Sequence, residues 1–244
     1  MKPKIAICLT GGSFSRQWVL GLLDLVMQMI ANGFPTIIIS IAGSNIFDVR
    51  NSCVATLADS GMDPDYVFWI DYDNPPSFEN FANLLKHQVD FVAGWSWLQV
   101  DENNKGKTVA SYGDWNEKTQ WYKAEVPEQA TLLGKDGTLH YRHYTGFGCV
   151  LMKGDMLDSL GTSPFSPLLD GKLYPDDVVF CRRAIAKGYK ILIDSSVFVE
   201  HLKLQGIGPT LKVENLKRKE TDSDNCSNGS NQQSSLQELE HNLC

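Results

Sequence analysis

The chain has 244 residues, 43% of them hydrophobic, which suits one large α/β domain or at most two small ones. Its formal net charge of -7 opposes unspecific binding to nucleic acid or an anionic membrane. No apolar run approaches the roughly 18–20 residues that cross a bilayer. The opening "MKPKIAICLTGG" reads as a strand and a glycine turn, without the longer apolar stretch of a signal peptide. Of the six cysteines, Cys8, Cys53, Cys149 and Cys181 lie in apolar surroundings, none in metal-ligand spacing. They read as buried free thiols, so the expectation is a cytoplasmic protein.

In chain order, "KIAICLT" is a continuous apolar run of the kind buried in a parallel sheet. Trp18, Leu22, Leu25 and Met29 then recur at helical spacing, and Gly33 stops that helix. "FPTIIISIAG" is a second strand, and "NIFDVRNSCVATLADSG" a loop and helix closed by Gly61. "YVFWI" is a third strand. Ser77 caps a helix carrying Phe78, Phe81 and Leu85 on one face, and "DFVAGWSW" is a fourth strand. This β-α-β-α-β-α-β alternation predicts an α/β fold with an open, mostly parallel sheet. Residues 100–145 are polar, aromatic and short-stranded, and read as an antiparallel excursion. Strand and helix return in "GCVLMKGDMLDSLG", followed by a helix from about 176 to 187 and one or two strands. The predicted domain covers residues 1–211. Residues 212–244, rich in Ser, Asn and Gln, form a polar tail expected to lack a fixed fold.

In "DYVFWIDYDNPP", Asp71 and Asp73 follow a buried strand and precede two prolines. Residues two apart on an extended segment share a side, so both carboxylates are expected at the carboxyl edge of the sheet, where open α/β sheets bind ligands. Two like charges that close invite a cation, and a hard divalent ion suits oxygen ligands. The alternative is a simple turn cap. Asp176 and Asp177 open a helix, where its dipole favours negative charge. They are either caps or a carboxylate pair with one pKa raised toward that of a general base. His201 in "VFVEHL" ends a strand, as a metal ligand or as an ordinary surface residue.

Taken in order, "VRNSCVATLADSG", "DYVFWIDYDNPPSFENFANLLKHQVDFVAGW", "YTGFGCVLMKGDMLDSLGTSPF" and "YPDDVVFCRRAIAKGYKILIDSSVFVEHL" resemble the GT-A glycosyltransferases of the family-2-like kind. The resemblance spans about residues 4–203. It implies the Rossmann-like nucleotide-diphospho-sugar transferase fold, with a mixed, mostly parallel central sheet. It implies that Asp73 and His201 bind Mn²⁺ or Mg²⁺, with Asp71 at the ribose or the metal shell. Arg50 would approach the diphosphate or base, with Asn51 supporting that loop. Gly146, Phe147 and Gly148 would shape the donor-sugar pocket, and Trp95 or Trp97 would stack on a sugar. Thr10 and Gly11 would lie near the nucleobase. Asp177 would be the general base of a single, inverting displacement, with Asp176 orienting donor or acceptor. The implied donor is a nucleoside-diphosphate sugar, a UDP-sugar first among them. The implied acceptor is a glycan, protein or lipid, ahead of a hydroxylated nucleic-acid base. Two departures stand out: Asp-Asp replaces the usual Glu-Asp, and "LTGG" replaces a Pro-Thr turn. Rival readings are a haloacid-dehalogenase-type phosphatase with Asp71 as nucleophile, a nucleotidyltransferase, and a non-catalytic nucleotide-sugar binder.

Overall fold

In the computed structural model the described residues are 1–100, 107–119, 121–127, 131–132 and 137–202, all within one compact unit. The predicted boundary at residue 211 and the polar tail lie outside them. The first half follows the expected alternation: β1 (Ile5–Thr10), α1 (Arg16–Ala31), β2 (Thr36–Ile41), α2 (Ile46–Asp59), β3 (Tyr66–Asp71), α3 (Phe78–Leu85) and β4 (Phe91–Trp95). Ser15 and Ser77 cap α1 and α3, accepting hydrogen bonds from the amides of Trp18 and Asn80. Gly33 (φ 73°) and Gly61 (φ 68°) follow α1 and α2 in the left-handed conformation that lets a chain leave a helix.

The excursion contains β5 (Trp97–Val100), β6 (Lys107–Ala110), β7 (Tyr112–Asn116), β8 (Trp121–Ala124), β9 (Leu139–Arg142) and β10 (Tyr144–Thr145). Strands β5 and β6 form an antiparallel pair, and β10, β7 and β8 form a small antiparallel sheet. The segment "TLHYRHYTG" is divided, because β9 leaves the excursion and pairs antiparallel with β14 at the edge of the main sheet. The remaining elements are β11 (Cys149–Lys153), α4 (Gly154–Ser159), β12 (Leu168–Leu169), β13 (Lys172–Leu173), α5 (Asp176–Ala186) and β14 (Ile191–Phe198). Among the described residues one strand, β14, therefore follows α5.

The main sheet has seven strands in the order β2-β1-β3-β11-β4-β14-β9. Strands β11 and β9 run against the other five, so the sheet is mixed. Alternation along each strand feeds two cores. Ala6, Cys8, Val67, Trp69, Phe91 and Val150 face α2, α4 and α5, while Ile7, Leu9, Phe68, Ile70, Val92 and Leu151 face α1 and α3. Both faces of the central strands are covered, which is why they read as continuous apolar runs rather than alternating ones. Cys8, Cys53, Cys149 and Cys181 are buried free thiols, as expected. No helix among the described residues is long and apolar enough to cross a membrane.

Candidate active site

Strands β3 and β4 end at the same edge of the sheet, and β11 begins there because it runs the other way. Strand β14 reaches that edge through an irregularity in its register against β4, between Ile193 and Phe198. The amide of Val199 then bonds to the carbonyl of Trp95 (2.8 Å), which carries the chain past the end of β4 to His201. The resulting cavity, about 140 Å³, is lined by residues that include Arg50, Asp71, Asn74, Gly146, Asp177 and His201.

The buried Arg50 guanidinium is the hub of this site. Its Nη2 donates to both carboxylate oxygens of Asp71 (3.0 and 2.8 Å), and its Nη1 donates to Asp176. Its flat faces meet aromatic rings, with Phe147 5.1 Å and Phe165 5.8 Å from the guanidinium carbon. Burial alone pulls the Arg50 pKa down, but the charges of Asp71, Asp176 and Asp177 outweigh it and push the pKa up. Arg50 therefore stays a cation.

Asp71 does not point with Asp73. The strand ends at Asp71, and the chain turns at Tyr72–Asp73 with the Asn74 amide bonded to the Asp71 carbonyl (3.1 Å). The turn breaks the two-residue periodicity on which the sequence expectation rested. Asp71 takes Arg50 and the Thr10 hydroxyl as partners, and its carbonyl accepts the Trp18 indole N–H (2.9 Å). Asp73 pairs instead with His201, Nε2 to Oδ2 at 3.1 Å, and its carbonyl accepts the Leu202 amide (2.6 Å). In this arrangement Asp71 is engaged by Arg50 and Thr10, apart from the Asp73–His201 pair. Among the described residues no three His, Cys, Asp or Glu side chains converge as a ready-made cation site. Asp73 and His201 remain an adjacent oxygen–nitrogen pair of the type divalent metals accept.

Asp177 is partly buried beside this hub, and its carboxylate accepts the Val178 amide (2.7 Å). Burial pushes its pKa up, Arg50 pulls it down, and Asp176 and Asp71 push it up again, to about 6. The two neighbouring carboxylates thus have different duties, since Asp176 is bound to Arg50 while Asp177 lines the cavity.

The other predicted residues have mixed placements. Thr10 is fully buried under Asp71. Gly11 has φ 132°, and any side chain there would run into Tyr72. Both therefore shape the Asp71 turn. Asn51 accepts the Phe165 amide (3.0 Å), which fixes the loop whose ring lies against Arg50. Gly146 is tied to Ser111 (2.7 Å). The Phe147 ring is buried among Trp69, Phe91, Phe165 and Phe180, so it supports Arg50 from below. Trp95 is only 2% exposed, ringed edge-on by Trp97, Tyr112 and Phe198, with its N–H on the Ser195 carbonyl. The little of it that is exposed lines the cavity, and the surrounding rings hold it there as part of the cavity wall.

One cavity-lining residue, Asn74, escaped the sequence reading, and it explains the predicted Gly148. Asn74 is buried, donates to the Glu200 carbonyl (2.9 Å), and so ties the Asp73 turn to the segment bearing His201. Gly148 is a glycine because the Asn74 amide occupies the place of a side chain. The signal for Asn74 was its position after Asp73 and before two prolines, where a side-chain amide can replace missing backbone donors.

No family model matches the chain, and no curated protein matches it. Solved structures do. A197 from STIV is 16% identical with a TM-score of 0.47, covering 83% of this chain and 86% of that one. GalNAc-T7, crystallised with UDP, GalNAc and Mn²⁺, is 11% identical with a TM-score of 0.47, covering 83% of this chain and 44% of that one. The mannosyltransferase PcManGT from Pyrobaculum calidifontis, in complex with GDP-Man and Mn²⁺, is 10% identical with a TM-score of 0.44, covering 84% and 59%. This chain thus spans about half the length of those two transferases. These scores and identities are low, so the geometry of the site itself carries the functional reading.

Proposed function

We propose that this protein is a metal-dependent GT-A glycosyltransferase that moves a sugar from a nucleoside-diphosphate sugar to an acceptor hydroxyl. The observation that carries the proposal is the division of four aspartates at one sheet edge. Asp71 and Asp176 neutralise the buried Arg50, Asp73 pairs with His201, and Asp177 lines the cavity with its pKa raised. Chemistry that separates a cation site, a fixed positive charge and a base requires such a division.

Asp73 and His201 would hold the divalent cation, whose bound charge would offset the charge developing on the diphosphate leaving group. Arg50, held in place by both carboxylates and two rings, supplies fixed positive potential at the floor of the site. Asp177 removes the proton from the acceptor hydroxyl as it attacks the anomeric carbon. A base acting on the acceptor in one displacement gives inversion. The cavity is smaller than the roughly 300–1,000 Å³ of whole-ligand pockets. It suits the transferred sugar, with the nucleotide lying across the open sheet edge. A UDP-sugar is the first donor to test. The acceptor is a glycan, protein or lipid, met over the antiparallel excursion with its exposed Trp121.

The phosphatase alternative needs Asp71 as a free nucleophile, whereas both its oxygens are engaged by Arg50 and Thr10. The decisive experiment is thermal unfolding with UDP-, GDP- and dTDP-sugars, with and without Mn²⁺. One donor should stabilise the protein only with metal, and Asp73→Ala should abolish that shift. No stabilisation by any donor at any metal concentration would refute the proposal.

A further inference from the structure

Helix α1 has a second apolar face that nothing among the described residues covers. Trp18, Leu25 and Met29 point into the core. Leu20, Leu23, Met27 and Ile30 lie on the opposite side, 54% to 70% exposed. Their spacing of three, four and three residues is that of a seam between two packed helices.

The patch continues onto the sheet. Ile37, Ile39 and Ile41 of β2 pack toward the other core, so Thr36 and Ile38 face α1. The Thr36 hydroxyl touches the Met29 sulfur, and Ile38 remains 45% exposed. Strand β2 ends the sheet order and, among the described residues, pairs only with β1. It shows none of the usual defences of an edge strand. "TIIISI" contains no charge and no proline, and its register with β1 is unbroken.

We infer that a second copy of this chain covers this surface, with α1 packed against α1 and β2 beside β2 about a two-fold axis. A two-fold contact sets each patch against itself, which an apolar stripe flanking an open strand edge permits. The exposed apolar side chains offer on the order of 600 Å² per copy, near the roughly 800 Å² per partner of a standard interface. A lipid surface fits less well. The polar residues of α1 are Gln17, Asp24 and Gln28 with a single basic residue, Arg16, at its start, and lipid offers no partners for the open backbone groups of β2. Arg50 lies on α2, Asp71 ends β3, Asp176 and Asp177 open α5, and Asp73 and His201 follow β3 and β14, so no site residue belongs to the exposed stripe or to β2. The inference is independent of the proposed reaction.

The test is sedimentation of the full chain, combined with thermal unfolding, over a roughly hundredfold range of concentration. A mass twice the 27.2 kDa of one chain is expected, with a Tm that rises with concentration. Met27→Lys and, separately, Leu23→Glu should each give a monomer whose Tm is independent of concentration. Both side chains are exposed, and circular dichroism checks that the variants fold; Leu20→Gln serves if either does not. A wild-type monomer throughout the range overturns the inference, as does a dimer that survives these substitutions. Wild-type monomer that co-sediments with phosphatidylcholine vesicles, lost in Met27→Lys, assigns the stripe to lipid and also overturns it.

Discussion

At the scale of single residues, the site turns on one cation among carboxylates. Removing Arg50 leaves the buried Asp176 and the partly buried Asp71 without a counter-charge, and breaking such a buried pair costs about 3–5 kcal/mol. Arg50→Met should lower the urea midpoint accordingly, and Arg50→Lys should recover little, because an ammonium cannot bridge both carboxylates in a plane. Asp177 makes two further predictions, both from a pKa raised to about 6. As a base it must be ionised, so turnover should rise with pH through about 6 and then level. Asp177→Asn should cut turnover by about 10²–10⁴-fold and abolish that limb. Stability runs the opposite way. Folding favours the protonated form, a contribution fully present below the unfolded pKa and lost as pH rises through about 6. Asn mimics that form, so at pH 7–8 Asp177→Asn should be the more stable protein, and the difference should vanish near pH 4.

At the scale of elements, two chain segments more than a hundred residues apart are tied together. Asn74 ties the turn after β3 to the segment after β14, and Gly148, just before β11, gives it room. Gly148→Ala should displace the Asn74 amide and free the segment around His201, at a cost of about 1–3 kcal/mol. Calorimetric titration with Mn²⁺ checks this, and unchanged metal affinity would show that the link does not position the cation pair. The β-α alternation, the Ser77 cap and the stop glycines were legible because each is a local preference. The division of "TLHYRHYTG" between two sheets was not, since β9 joins β14 only because an open edge lies beside it.

At the scale of the whole molecule, two cores enclose the sheet, and the thiols report on both. Cys8, Cys53 and Cys181 lie in one core and Cys149 in the other, all four buried. Burial pushes the Cys149 thiol up to about 12, which suppresses the reactive thiolate. Labelling of these four should therefore follow opening of the fold, and its rate should climb with urea. Four labelled thiols in the native protein would show that the cores open locally.

By itself the sequence determined the α/β class, the order of the elements through β4, and the acidic residues and histidine from which the site is built. These follow from periodicity, capping and the clustering of charge at strand ends, which act over a few residues. Only the tertiary structure decided their pairing. A turn after Asp71 sends the two aspartates to different partners, Arg50 from α2 claims Asp71 and Asp176, and Trp95 is packed into the cavity wall. The reason is physical: a buried charge takes whichever opposite charge the packing brings within reach, and that reach crosses 126 positions of chain between Arg50 and Asp176.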